Sequence, residues 1–198
     1  MPVPDLRATA VQALRRVTVV RFARRHLDGL SGVEIGGAAH ADFGVDVVNV
    51  DRYPSEDTVY KDEERRVTGR VRPIDVVASG DDLPFPDDSY DFVLASHVIE
   101  HFPDPIRALE EWRRVARRHL FLVVPHRDRT FDRDRPLTPL AELIARHEAG
   151  LVSDEDKHWS VWTCESFVEL CDHLGLEVVA RRDPDVPRGN GFALLLSV

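Results

Sequence analysis

At 198 residues the chain fits one domain with its own hydrophobic core and leaves no room for a second large one. Its net charge of −9 at pH 7 argues against nucleic acid and anionic membranes as partners, since either surface repels the summed field. No apolar run approaches the ~20 residues of a membrane span, and the opening MPVPDLRATA lacks the apolar segment of a secretory signal, so a cytoplasmic protein is expected.

Taken in order, the chain first predicts a helix within residues 1–30. Val11, Leu14, Val17, Val20 and Leu27 fall on its apolar side, and Arg15-Arg16 and Arg24-Arg25 on a polar side that is either solvated or anion-binding. A strand ending in small residues follows, from Gly32 through Glu34 and Ile35 to Gly36 and Gly37. Glycines directly after a strand let a ligand approach the backbone, and an acidic strand end can accept hydrogen bonds from ammonium or hydroxyl groups; a glycine pair also serves ordinary tight turns. The second strand, Val45 to Val50, runs into Asp51, which lies 17 residues after Glu34. A carboxylate there can accept both hydroxyls of a ribose, or simply cap a loop.

Between Arg52 and Pro73 the sequence is charged and weakly periodic, and reads as a loop with one short helix. A third strand is expected from Ile74 to Ala78, followed by Ser79-Gly80-Asp81-Asp82, compact polar groups suited to the edge of a base. The run from Gly80 to Arg118, GDDLPFPDDSYDFVLASHVIEHFPDPIRALEEWRRVARR, is the most informative stretch. Asp91 to Ser96 is a short apolar strand. Asp104 and Pro105 open a helix whose buried stripe is Ile106, Leu109, Trp112 and Val115. Between strand and helix stand His97, Glu100 and His101, at the edge where a parallel α/β sheet binds its ligands.

A fifth strand, Leu120 to Val124, ends at Pro125-His126. Residues 127–162, rich in Arg, Asp and His, read as a lid or substrate wall with one helix starting at Thr138-Pro139. Thr163 caps a last helix, Gly175 closes it, and two strands, Leu176 to Ala180 and Phe192 to Val198, complete the chain. Cys164 and Cys171, seven apart on one helix face, are too far apart to bond to each other; core packing is expected of both.

With these residues placed, the chain resembles the class I S-adenosylmethionine-dependent methyltransferases, in particular the small-molecule or sugar O-methyltransferase type with the pattern LPFPDxSFDxVxxxxxxEHxxDP. Here it is carried by Leu83 to Val93 and by Glu100-His101-Phe102-Pro103-Asp104-Pro105. The resemblance implies an α/β fold: a Rossmann-like, doubly wound seven-stranded sheet with the last strand antiparallel, plus a helical lid insertion, all in one methyltransferase domain over 1–198. It implies S-adenosylmethionine as cofactor, with Glu34, Gly36 and Gly37 along its methionine part, Asp51 on the ribose, Gly80 and Asp81 at the adenine, and Ser96 and His97 beside the sulfonium. Three departures stand out: Ala38 and His40 replace later glycines of the loop, Ser79 replaces the usual acidic residue, and Arg117-Arg118-His119 replaces a Pro-Gly-Gly turn.

In related O-methyltransferases a histidine matching His101 is the general base; His126 is a second candidate and Glu100 an orienting group. These residues can also serve only to cap the helix or brace the lid. Arg129, Asp132, His158, Trp159 and Trp162 combine hydrogen-bonding groups with aromatic faces, a mixture that recognises saccharides and also packs cores. The expected reaction is methylation of a small-molecule hydroxyl, most readily on a sugar or glycan precursor; the alternative is a non-catalytic binding module of the same fold. His97-x-x-Glu100-His101 spells a zinc motif, but one that needs a continuous helix, which Pro103 and Pro105 interrupt. A divalent ion such as Mg²⁺ held by Glu100, His101 and another cleft residue is left open, as is a homodimer.

Overall fold

The computed structural model describes residues 19–37, 42–55, 57–185 and 189–198, with backbone alone at 67 and 68. The expected apolar positions Val11, Leu14 and Val17, and the loop residues Ala38 and His40, lie outside the described residues.

Seven strands form one sheet in the order β3-β2-β1-β4-β5-β7-β6. They are β1 Ser31–Ile35, β2 Asp46–Asp51, β3 Val76–Val77, β4 Tyr90–Ser96, β5 Ala116–Pro125, β6 Glu177–Arg182 and β7 Gly191–Ser197. β1 pairs in parallel with both β2 and β4, while β7 runs antiparallel to its neighbours β5 and β6. Chain order reverses at β1, so the crevice beyond Ile35 and Ser96 is a topological switch point, where open α/β sheets take their ligands. This is the Rossmann-like sheet with an antiparallel last strand that the sequence led us to expect.

The period-two alternation of the central strands divides the core between two faces. Val93 and Ala95 of β4 join Leu120, Leu122 and Val124 of β5 under helices α3 (Pro105–Val115) and α5 (Cys164–His173). Phe92 and Leu94 join Phe121, Val123 and Leu195 on the opposite face, against a helix over residues 19–27 (α1). The buried stripe of α1 is Val19, Ala23 and Leu27; the anticipated Val20 is only half-buried, one residue out of register.

Helix α3 forms as anticipated. Asp104 caps it by accepting the Arg107 N–H at 3.0 Å, Pro105 starts it, and Ile106, Leu109, Trp112 and Val115 are buried. It passes straight into β5, because Ala116 is at once its C-cap and the first strand residue. No Pro-Gly-Gly turn is needed where there is no loop. In α5, Thr163 and Ser166 form a capping box, and Gly175, at φ 66, closes the helix with its N–H on the Asp172 carbonyl and that of Leu176 on Cys171. Cys164 and Cys171 are buried free thiols.

Two elements differ from expectation. β3 is cut to two residues, since the Asp75 carboxylate accepts the Asn49 N–H at 2.8 Å beside the strand edge. The charged stretch after Arg52 contains a full ten-residue helix, α2 (Val59–Thr68), capped by Thr58 and ended by Gly69 at φ 79. Its inward face is ionic: Lys61 is completely buried, with Nζ 3.0 Å from Glu64, 3.1 Å from the Gly37 carbonyl and 3.3 Å from that of Arg72.

Candidate active site

A cavity of about 1180 Å³ lies over the carboxyl edge of the sheet. Across that edge, in strand order, Asp51 ends β2, Gly36 follows β1, Ser96 and His97 follow β4, and Pro125 ends β5; all line the cavity. Gly80 and Phe102 also line it.

Asp51 is 8% exposed, and its Oδ1 accepts the N–H of Tyr53 at 3.0 Å, which fixes the carboxylate. Gly36 has φ 61, and a Cβ there would come within 2.9 Å of Val98, so the backbone must stay bare where the chain leaves β1. The Gly80 carbonyl is held by Trp112 Nε1 at 2.7 Å. His97 is left-handed at φ 56, which turns the chain from β4 into the short 3₁₀ turn Ile99–His101.

That turn carries the most unusual group in the molecule. Glu100 is 1% exposed, and neither carboxylate oxygen has a hydrogen-bond partner. Desolvation pushes its pKa up to about 8. Oε1 faces three imidazoles: His97 Nδ1 at 3.9 Å, His158 Nε2 at 3.9 Å and His101 Nε2 at 4.0 Å. His158 Nδ1 lies 2.5 Å from Asp132, and His101 Nδ1 lies 2.9 Å from Asp156. Burial, then the neighbouring His158, holds the His101 ring below the usual histidine range.

Residues 127–162 supply the outer wall. Two 3₁₀ turns, Arg127–Arg129 and Phe131–Asp134, lead to helix α4 (Leu140–Glu148) and then to an extended loop. The loop returns to Glu100, whose carbonyl accepts the Trp159 N–H at 2.7 Å. It also reaches the β2 side: Arg52 Nη2 donates to the Asp154 carbonyl at 3.4 Å, and the Tyr60 hydroxyl donates to Asp156. Phe131, Asp132, Arg135, His158 and Trp159 thereby line the cavity.

Several residues singled out from sequence lie elsewhere. Glu34 is buried and bonded to Arg72 Nη1 at 2.7 Å, and a Cβ on Gly37 would strike Asn49 and Arg72; both face the ionic cluster beneath α2. Asp81 pairs with Arg107 at 3.4 Å. His126 is buried, its Nδ1 accepting the Asp128 N–H at 3.2 Å, and Arg129 pairs with Asp183 and donates to the Gly191 carbonyl. Trp162 is a core residue set edge-on against Phe167. None of these six lines the cavity. Conversely, Tyr53, Tyr60 and Phe131 were not anticipated; the only available signal was aromatic residues in otherwise charged stretches.

Residues 30–124, which contain β1 to β4, the Glu100-His101 turn and all of β5 but its last residue, match the family described as a methyltransferase domain. Over those residues the chain is similar to that family. Its relatives include an uncharacterized methyltransferase of Mycobacterium sp. (strain KMS), 38% identical over 45% of this chain and 35% of that protein. Another is ajmaline N-methyltransferase of Rauvolfia serpentina, 30% identical over 52% of this chain and 34% of that protein. The chain thus spans about a third of the length of these curated relatives. The fold is shared along nearly the whole chain with an S-adenosylmethionine-dependent methyltransferase of Thermotoga maritima: TM-score 0.59 at 20% identity, covering 96% of this chain and 93% of that one.

The similarity implies S-adenosylmethionine as cofactor, and the nucleoside side of the cavity fits it by its donor set. The Asp51 carboxylate suits ribose hydroxyls, Gly36 leaves the backbone bare, and Val50, Ala78 and Phe102 give apolar walls for a base. On the expected methionine side, the carboxylate of Glu34 is bonded to Arg72.

Proposed function

We propose that this protein is an S-adenosylmethionine-dependent O-methyltransferase acting on a hydroxyl of a small molecule, most readily a sugar or glycan precursor. One observation carries the reading: a single cavity joins a nucleoside-type wall, Asp51 and Gly36, to a polar wall of Glu100, His101 and His158. The cofactor supplies an electrophilic methyl group. What is left to the protein is to align the acceptor and receive its proton.

His101 is placed to receive it. Asp156 engages Nδ1 and selects the tautomer with the proton there, which leaves the Nε2 lone pair toward Glu100 and His158. A lowered pKa keeps the ring neutral and ready to accept a proton at neutral pH. His158, held by Asp132, presents the same edge. Arg135 and Trp159 add hydrogen-bonding and aromatic surface around the acceptor, a combination that suits a saccharide.

His101→Ala is expected to keep cofactor affinity while turnover falls roughly 10²- to 10⁴-fold, the usual contribution of a general base. Full turnover in that variant refutes the assignment. The acceptor is tested by screening mono- and oligosaccharides, phenols and amines for formation of S-adenosylhomocysteine. Amines belong in the screen because one relative bears the name of an N-methyltransferase; turnover confined to them overturns the hydroxyl reading.

A further inference from the structure

We infer that Glu100, His101 and His158 form a binding site for one divalent transition-metal ion at the acceptor wall of the cavity. The inference rests on the reading of that wall given above and adds a ligand to it.

The donor atoms of these three side chains all lie within 4.8 Å of one another. Glu100 Oε1 stands 3.9 Å from His158 Nε2 and 4.0 Å from His101 Nε2. Donors that each sit ~2.1 Å from a shared ion are separated by roughly 3–3.4 Å. The two carboxylate–imidazole gaps therefore need to close by about 1 Å at most, and the gap between the imidazoles, within 4.8 Å, by up to about 1.8 Å, within the reach of side-chain rotation.

Two further features belong to metal sites. Each imidazole is gripped at its far nitrogen by a carboxylate, His101 by Asp156 at 2.9 Å and His158 by Asp132 at 2.5 Å, and Asp132 is itself held by Arg135 at 2.6 Å. Such a bond puts the proton on Nδ1 and aims the Nε2 lone pair at the shared point, which is how metal-ligating histidines are oriented. The second feature is Glu100, whose two oxygens are buried without any hydrogen-bond donor. A buried carboxylate without a donor needs either a cation or a proton.

The donor set decides the class of ion. Two imidazoles and one carboxylate suit Zn²⁺, Co²⁺, Ni²⁺ or Fe²⁺, whereas Mg²⁺ and Ca²⁺ prefer all-oxygen shells. The ligands also differ from those of the zinc spelling His97-x-x-Glu100-His101. That motif lies on a strand end and a 3₁₀ turn, Glu100 is a ligand in place of a base, and the second imidazole comes from His158 in the outer wall. With the ion bound, the His101 Nε2 lone pair is occupied, so His101 is a ligand in place of the base described above. The ion would lower the pKa of a hydroxyl that touches it, and that proton would pass to solvent.

The test is a titration of the chelator-stripped full chain with Co²⁺, followed by its visible absorption, with S-adenosylmethionine affinity measured in parallel. One equivalent per chain is expected, with Glu100→Gln and His158→Ala each weakening binding at least ~100-fold and Asp132→Asn ~10- to 100-fold. His173→Ala, in the last turn of α5 and outside the cavity, leaves it unchanged. Glu100→Gln is isosteric and decides the matter if His158→Ala fails to fold. Absence of saturable binding, or binding that both ligand variants leave intact, overturns the inference and assigns Glu100 a proton. Cofactor binding that persists in the absence of metal binding leaves the methyltransferase reading standing. Loss of cofactor binding alone counts against that reading and not against the site.

Discussion

Asp51 and Glu100 mark the two poles of the cavity, and each was conspicuous in the sequence for a different reason. Asp51 ends a strand 17 residues after Glu34, and the structure keeps it there, with the Tyr53 N–H fixing one oxygen. A charged hydrogen-bond acceptor of this kind contributes about 1.5–3 kcal/mol, so Asp51→Ala should weaken S-adenosylmethionine binding roughly 10- to 150-fold. Calorimetric titration of the folded variant checks this. Glu34 stood beside it as a second acidic anchor on sequence grounds, and in the fold its carboxylate is bonded to Arg72. Its partner Arg72 lies 38 residues away, beyond any local pattern, and only the folded chain brings the two to 2.7 Å. His158 was legible as a polar residue of the outer wall, but its pairing with Glu100 and His101 depends on how the loop closes back over the 3₁₀ turn.

At the scale of elements, the helices that obey apolar periodicity were readable with their caps, and the one that does not was read only as one short helix in a loop. α3 and α5 have apolar stripes and capping residues written into the chain. α2 lacks the stripe because its inward positions are Lys61 and Glu64, three apart and both buried. Removing one partner of such a pair strands the other charge; with Arg72 also beside Glu64, Lys61→Ala should cost about 3 kcal/mol in chemical denaturation. A loss below about 1 kcal/mol would show that α2 is held by something else. The thiols of α5 give a second check. Burial pushes Cys164 up to about 11 and Cys171 up to about 12, and a thiol alkylates only as thiolate. Because these pKa values are raised, the reactive fraction grows only as pH climbs towards them. Iodoacetamide at about pH 8 should therefore leave both intact in the native protein and modify both on unfolding; mass spectrometry reads the outcome.

For the molecule as a whole, buried strands followed by capped helices pointed to a parallel α/β sheet, and the family resemblance implied the doubly wound order with its last strand reversed. What the order does not contain is the path of residues 127–162. Their contacts run to Glu100 in the 3₁₀ turn, to Arg52 just after β2 and to Tyr60 in α2, and they turn an open sheet edge into a walled cavity. No helix among the described residues is long and apolar enough to cross a membrane. The central claim is that this cavity binds S-adenosylmethionine against Asp51, and direct calorimetry with that cofactor tests it most simply. Micromolar binding at one site per chain, lost or sharply weakened in Asp51→Ala, is the predicted result. No detectable binding at millimolar cofactor would contradict it.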